Sequence, residues 1–195
     1  TWEIWNEPNV PEYFSPPDVG RYTNLLKAAY TTIHATQPQA TVMSGGLSSA
    51  PYGIGSVDFL HQLYDLGGGD FLDAVALHPY TYPYSLTEDP SGRGAVIAAT
   101  HNLMNQRGQG QKKIWITEYG QPTGTSPQAV SENRQSELLV DFLKRTSALA
   151  YLGPSFLFTT RDLSSDPSHE DFNFGLYTVD FKPKPVVSAL QSIAA

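Results

Sequence analysis

The chain has 195 residues, a formal net charge of −7 and an isoelectric point of about 5.1. This acidic balance argues against a nucleic-acid partner, because such a partner needs a basic surface against its phosphates. No apolar run approaches the ~20 residues needed to cross a bilayer, so we expect no membrane span. The absence of cysteine excludes disulfides, thiol nucleophiles and thiolate metal sites. It leaves the localisation open between secretion and the cytoplasm.

Short apolar runs and helical periodicity alternate along the chain. Apolar residues at helical spacing begin after Asp18, a good helix N-cap, and stop at Pro38. A short run at residues 41–44 predicts a strand that Gly45 and Gly46 end. The other predicted elements are strands at residues 2–6, 73–77, 114–117 and 154–158, and helices at residues 57–64, 95–106, 127–149 and in the last residues up to 193.

The order of these elements favours one fold class. Strands that alternate with helices at this spacing are typical of βα units with parallel pairing. A closed (β/α)8 barrel takes eight strands, so five predicted strands indicate an α/β fold that is part of a barrel and lacks about three units. We expect residues 1–195 to form a single partial (β/α)8-barrel domain.

The first predicted strand ends at a glutamate. Residues 1–9 read Thr-Trp-Glu-Ile-Trp-Asn-Glu-Pro-Asn, an apolar run that ends at Glu7, where Pro8 stops the strand. The carboxyl ends of the strands form the reactive face of a parallel barrel. Glu7 is therefore a candidate catalytic residue, although an acidic residue in an ordinary loop is the alternative.

A second apolar stretch also ends at a glutamate. Residues 113–120 read Lys-Ile-Trp-Ile-Thr-Glu-Tyr-Gly, so that Glu118 ends an apolar run and Gly120 permits a turn. Glycoside hydrolysis with retention requires two carboxyl groups about 5–5.5 Å apart, one protonated and one ionised. The acid must keep its proton near neutral pH, which burial and a neighbouring carboxylate favour. Glu7 and Glu118 lie far apart in sequence, so only the fold could bring them together.

The two motifs together resemble a known group of enzymes. Residues 5–9 (Trp-Asn-Glu-Pro-Asn) and 115–120 (Trp-Ile-Thr-Glu-Tyr-Gly) look like the fourth- and seventh-strand motifs of the large clan of retaining β-glycosidases on (β/α)8 barrels. The family 39 and family 5 types are the most similar. The resemblance implies that the chain is the C-terminal portion of a TIM barrel, strands 4–8, with strands 1–3 missing.

The same resemblance implies roles for individual residues. Glu7 matches the acid/base, Glu118 the nucleophile, and Asn6 the residue that hydrogen-bonds the sugar 2-hydroxyl. His78 and Tyr80, at the end of the predicted sixth barrel strand, look like the segment that lies near the nucleophile and contacts substrate.

The chain departs from this pattern near its last predicted strand. Such enzymes often carry a tryptophan there that forms the floor of the sugar site. Phe156 and Phe158 occupy that region here, and no tryptophan follows residue 115. Phe158 is therefore a candidate sugar contact, and Trp5 is a second one.

Glu3 raises a separate question. Because side chains alternate along a strand, Glu3 should point to the same side as Trp5 and Glu7. A buried carboxylate needs a partner. The sequence identifies none within this chain, so we expect the partner of Glu3 in the missing half of the barrel.

Two functional classes stay open. The first is a retaining β-glycosidase acting on a glycoside or an oligo- or polysaccharide, with the activity of the isolated chain undecided. The second is a catalytically inactive carbohydrate-binding or structural barrel fragment. The five histidines show no metal-ligand spacing and no nucleotide-binding motif follows a strand, so neither metal nor cofactor is expected. The sheet edges should pair with the missing N-terminal half or with a second copy of the chain.

Overall fold

The structure is a computed structural model that describes residues 1–194. Within this range five strands alternate with five longer helices, as the sequence predicts. None of these helices is both long and apolar enough to span a membrane. The strands are β1 (Trp2–Asn6), β2 (Val42–Ser48), β3 (Ala74–His78), β4 (Lys113–Tyr119) and β5 (Leu152–Leu157). The helices are α1 (Val19–Thr36), α2 (Ser56–Asp65), α3 (Val96–Gln106), α4 (Glu132–Ser147) and α5 (Pro185–Ala194).

The strands form one sheet in the order β1-β2-β3-β4-β5, and β1 to β4 pair in parallel. The register places Trp2 opposite Val42, and Leu77 opposite Ile116. Parallel neighbours need a crossover connection, and helices supply it between successive strands. The predicted α/β class with a parallel sheet is confirmed.

The chain divides into two compact units. The first comprises Thr1–Tyr80, Ala95–Thr117 and Ala150–Pro154. It contains β1, β2, β3 and the part of β4 up to Thr117, with helices α1, α2 and α3, and its core is built from the inward faces of these elements. Its fully buried side chains include Tyr22, Leu26, Phe59, Leu60, Leu63, Leu77 and Met104.

The second unit comprises Thr81–Gly94, Glu118–Leu149 and Ser155–Ala195. The Tyr119 and Phe142 rings stack at its centre, 3.8 Å apart and nearly parallel. Burial raises the pKa of the Tyr119 hydroxyl, which contacts the hydroxyl of Thr81 and accepts a hydrogen bond from the Gln121 amide.

The prediction that Gly45 and Gly46 end the second strand is wrong, since β2 continues through both. A Cβ at Gly45 would lie 2.8 Å from the carbonyl oxygens of Ile4 and Trp5. The Tyr22 hydroxyl accepts a hydrogen bond from the Gly45 N–H and donates one to the Ile4 carbonyl, at 2.7 and 3.0 Å. Gly45 therefore allows the backbone of β1 to approach closely, which is the other use of glycine inside a strand.

The predicted helix at residues 127–149 is too long, because α4 begins at Glu132. Ser131 caps it, with a side chain that accepts a hydrogen bond from the Arg134 N–H. The preceding residue, Val130, instead bridges to Thr123. Apolar spacing does not by itself locate the N-cap, so the helix predicted from this spacing begins before the true start of α4. At α1 the predicted Asp18 cap is confirmed, with the Arg21 N–H as its donor.

A buried ion pair holds the second unit together. The Lys184 ammonium donates to Asp162 at 2.8 Å and to the Thr123 hydroxyl at 2.9 Å. The same Asp162 oxygen accepts the Gly175 N–H at 2.8 Å. Both members of the pair are buried. A buried charge is tolerated when it is paired and hydrogen-bonded, so each partner depends on the other.

Replacing Lys184 with methionine tests this dependence. We expect Lys184→Met to lower the free energy of unfolding by about 3–5 kcal/mol, because it leaves the Asp162 carboxylate buried without its counter-charge. Lys182→Met is the matched control: Lys182 is exposed, and a surface change of this kind stays within about 0.5 kcal/mol. Urea unfolding of the two variants measures both values, and equal losses would contradict the assignment.

Candidate active site

Glu7 lies in a tight turn directly after β1. Trp5 and Glu7 both have positive φ, 74° and 41°, a conformation that costs a non-glycine residue on the order of 1–3 kcal/mol. The Val10 N–H closes the turn by donating to the Glu7 carbonyl. The buried Asn9 amide exchanges two hydrogen bonds of 2.9 Å with the backbone of Ser48. Sequence reasoning missed Asn9, whose only signal was its place next to the Glu-Pro pair.

His78, the last residue of β3, is the direct partner of Glu7. Its Nδ1 lies 2.8 Å from Glu7 Oε1. Its Nε2 lies 3.0 Å from the Thr117 hydroxyl on β4. The His78 side chain is 1% exposed and the Glu7 side chain 13%. The structure therefore brings together the predicted site residues Glu7 and His78, and it adds Thr117, which sequence reasoning did not single out.

Glu3 completes this cluster, and its expected lack of a partner within the chain is wrong. The Thr117 hydroxyl donates to Glu3 Oε1 at 3.0 Å, and the Gly46 N–H donates to the same oxygen at 2.7 Å. Glu3 Oε1 also lies 3.9 Å from His78 Nε2. Glu3 and Thr117 are far apart in sequence, so their contact follows from the strand register and not from any local pattern.

Gly46 makes room for the imidazole. A Cβ built at this position would lie only 2.0 Å from His78 Nε2. Any larger side chain would therefore force the ring out of its place between Glu7 and Thr117. Gly46 thus supports the cluster twice, through its N–H on Glu3 and through its missing side chain.

Trp5 departs from regular strand geometry within β1. It has a positive φ of 74°, and its ring is 52% exposed. The indole N–H donates to the Tyr13 carbonyl at 2.9 Å, and the ring meets Phe14 edge to face at 5.9 Å. The prediction that Trp5 contacts substrate is untested by these contacts.

Asn6 and Tyr80 flank the cluster within the first unit. Asn6 is the last residue of β1 and pairs with Gly46 in the sheet. The Tyr80 ring meets the His78 ring edge to face, with centroids 6.4 Å apart. The Tyr80 carbonyl accepts a hydrogen bond from the Ser49 hydroxyl at 3.0 Å. Their predicted roles in substrate binding stay predictions.

Glu118 and Phe158 belong to the second unit. Glu118 is the penultimate residue of β4 and is half-buried. Phe158 follows β5, and its N–H donates to the Tyr119 carbonyl at 2.9 Å. Its ring meets Phe174 edge to face at 5.5 Å. Gly120 permits this packing, because a Cβ there would lie 2.2 Å from the Phe158 carbonyl oxygen. The predicted roles of Glu118 and Phe158 are not tested by these contacts.

Metal ligation finds no support in the part of the chain that the structure describes. No group of three or more His, Asp or Glu side chains there is arranged to hold a metal ion.

Comparison with known proteins gives a clear answer for the fold. The sequence matches no protein-family model and no curated protein. The structure matches a family 39 glycoside hydrolase from the gut symbiont Bacteroides cellulosilyticus WH2 with a TM-score of 0.78 and 25% identity, over 97% of this chain and 39% of that one. It matches a family 39 enzyme from Xanthomonas axonopodis pv. citri with a TM-score of 0.75 and 18% identity, over 98% and 40%.

A third structure extends the comparison. A monomeric β-xylosidase from Caulobacter crescentus CB15 matches with a TM-score of 0.70 and 21% identity, over 99% of this chain and 41% of that one. The resemblance to barrel glycosidases of the family 39 type is thus confirmed, and it concerns the C-terminal part of such barrels. This chain spans about two fifths of the length of the structures it matches.

The close approach of Gly46 to His78 yields a direct test. We expect Gly46→Ala to displace the His78 ring and to lower the free energy of unfolding by about 1–3 kcal/mol, as overpacking does. Gly55→Ala is the control, because a Cβ at Gly55 would meet only the Asp58 carboxylate at an ordinary 3.4 Å. Thermal unfolding and the side-chain NMR signals of His78 measure the two effects. Unchanged His78 signals in Gly46→Ala would contradict the packing described here.

Proposed function

We propose that the chain carries the catalytic residues of a retaining β-glycosidase, with Glu7 as general acid/base and Glu118 as nucleophile. The observation that carries this proposal is the short contact between Glu7 and the buried His78 at the carboxyl end of a parallel sheet. The likeness to family 39 glycoside hydrolases supports a glycosidase at the level of the family. Fold alone does not determine function, so the roles rest on the chemistry of the site.

The proposed reaction has two steps. In the first, the Glu118 carboxylate attacks the anomeric carbon while Glu7 gives its proton to the glycosidic oxygen, so that the C–O bond breaks and the alcohol leaves. In the second, Glu7 takes a proton from water, whose oxygen attacks the anomeric carbon and releases Glu118. Glu7 thus returns to its protonated form, and the product sugar keeps its original configuration.

The remaining predicted site residues fit around this reaction. We assign Asn6 to a hydrogen bond with the sugar 2-hydroxyl next to the acid. His78 orients the Glu7 carboxyl through Nδ1. Tyr80, Trp5 and Phe158 supply flat ring surfaces for the sugar, because aromatic side chains offer large apolar contacts.

We further propose that the catalytic domain is a (β/α)8 barrel in which β1 to β5 are strands 4 to 8. The other three strands would come from a further N-terminal segment or from a second copy of the chain. Closure would cover the free edges of β1 and β5, and bare edges of this kind invite pairing. The substrate would be a β-glycoside or a β-linked saccharide.

Covalent labelling tests the nucleophile. A mechanism-based 2-fluoro glycoside should label Glu118, and Glu118→Gln should abolish both labelling and the hydrolysis of aryl β-glycosides, since an amide cannot attack the anomeric carbon. Glu137→Gln, on an exposed position of α4, is the control and should keep full activity. Peptide mass spectrometry locates the label. A label on another residue would refute the role of Glu118.

The choice of leaving group tests the acid. Glu7→Ala should lose at least about 10²-fold in kcat/KM on substrates with poor leaving groups, the lower end of the usual contribution of general acid catalysis. Activated aryl glycosides should keep a fast first step, because their leaving groups need no proton, and added azide should give a β-glycosyl azide. Glu12→Ala, at an exposed position, is the control. Equal losses on good and poor leaving groups would exclude Glu7. A barrel completed by the three further strands that shows no turnover on any activated aryl β-glycoside would favour the inactive carbohydrate-binding alternative.

A further inference from the structure

Four polar side chains form a continuous hydrogen-bonded series in the first unit. It runs from Glu3 to the Thr117 hydroxyl (3.0 Å), from Thr117 to His78 Nε2 (3.0 Å), and from His78 Nδ1 to Glu7 (2.8 Å). The series joins β1, β4 and β3 and returns to the turn after β1. Only its last contact involves the proposed acid, so Glu3 and Thr117 have no part in the mechanism described above.

The direction of each hydrogen bond follows from the number of available protons. Glu3 Oε1 accepts the Gly46 N–H, so this oxygen acts as a hydrogen-bond acceptor. The Thr117 hydroxyl has one proton and gives it to Glu3. Its oxygen can then only accept from His78, which means that Nε2 carries a hydrogen. On the other side of the ring, the hydrogen bond between Nδ1 and the Glu7 carboxyl needs one hydrogen, which either group can carry.

We propose that Glu3 and Thr117 are positioning residues that hold His78 with a hydrogen on Nε2, so that Nδ1 shares a single proton with the Glu7 carboxyl. A neutral ring in this form presents the Nδ1 lone pair to the Glu7 carboxyl. The Glu3 carboxyl lies on the Nε2 side of the ring, with Oε1 3.9 Å from Nε2.

Groups from several elements of the first unit face the His78 ring. From β1 and its turn come Glu3 and Glu7, from β2 the backbone of Gly46, and from β4 the Thr117 hydroxyl. The Tyr80 ring meets the imidazole edge to face. The Glu7 carboxyl contacts Nδ1 and the Thr117 hydroxyl contacts Nε2, so these two groups bear directly on the position of the hydrogen on the ring.

Nitrogen NMR of the whole chain tests the position of that hydrogen without any need for activity. In long-range ¹H–¹⁵N spectra at about pH 8, where free histidine is neutral, His78 of the wild-type chain should show a protonated Nε2. Thr117→Ser keeps the hydroxyl and should keep this signature, as should Glu3→Gln, whose amide oxygen still faces the Gly46 N–H. Thr117→Val has the shape of threonine without the hydroxyl and should shift His78 toward the Nδ1–H form.

The leaving-group dependence of aryl-glycoside hydrolysis provides the second readout and rests on the proposed function. In Thr117→Val the hydrogen on Nδ1 points at the Glu7 carboxyl, which competes with the transfer of the Glu7 proton to the leaving group. We expect kcat/KM to fall by about 10-fold on substrates with poor leaving groups, a fraction of the contribution of general acid catalysis, and to stay near the wild-type value on activated aryl glycosides. Thr117→Ser should match the wild type.

The NMR spectra and the hydrolysis kinetics together distinguish the positioning role of Glu3 and Thr117 from the proposed function. The positioning role would be overturned, whatever the activity, if His78 of the wild-type chain carries no hydrogen on Nε2 or if the Thr117→Val spectrum is identical to that of the wild type. An active enzyme in which Thr117→Val lowers kcat/KM equally on good and poor leaving groups, or leaves it unchanged on both, would overturn it as well. A barrel completed by the three further strands that hydrolyses no glycoside but shows the expected tautomers would refute the proposed function and leave the positioning of His78 established. Thermal unfolding of Thr117→Val confirms that the variant is folded.

Discussion

The burial of the His78 ring is the constraint on which the first unit depends. A buried ring nitrogen without a hydrogen-bond partner costs about 1–3 kcal/mol, so both nitrogens need partners that keep their places. Glu7 and Thr117 provide them from two other segments of the chain. Gly46 provides the space, because the ring occupies the volume that a side chain on β2 would fill. One imidazole therefore fixes the relative positions of β1, β2, β3 and β4 at their carboxyl ends.

The turn that carries Glu7 is shaped by the same requirement. An extended chain through Trp5 and Glu7 would continue the strand, whereas positive φ at both residues makes the backbone depart from it. Such a conformation persists only where surrounding contacts determine it. The two hydrogen bonds between Asn9 and Ser48 and the contact with His78 are contacts of this kind. A carboxyl held in this way is preorganised, and the proposed role of Glu7 as a proton donor requires such preorganisation.

The likeness to family 39 structures and the chemistry of the site support different statements. Agreement over nearly the whole chain at 25% identity or less speaks to the arrangement of strands and helices. The proposed roles of Glu7 and Glu118 rest instead on the resemblance of their sequence motifs to those of retaining β-glycosidases and on what a carboxyl group at a strand end can do in glycoside cleavage. The hydrogen-bonded series from Glu3 to Glu7 extends that reasoning, because it joins the proposed acid to a second carboxylate through groups that exchange no atoms with the substrate.

The sequence by itself determined the features that depend on neighbouring residues. The alternation of strands and helices, the Asp18 cap, and the placing of Glu7 and Glu118 at or beside strand ends follow from local periodicity, capping and breaking signals. Local signals predicted the wrong start for α4. They also predicted that Gly45 and Gly46 end a strand, because glycine occurs at turns as well as at places of close backbone approach. Only the tertiary structure decided that Glu3 forms hydrogen bonds with Thr117 and Gly46, and that Glu7 forms one with His78. Those contacts join residues far apart in sequence, and they exist because the parallel register sets the ends of β1, β2, β3 and β4 side by side.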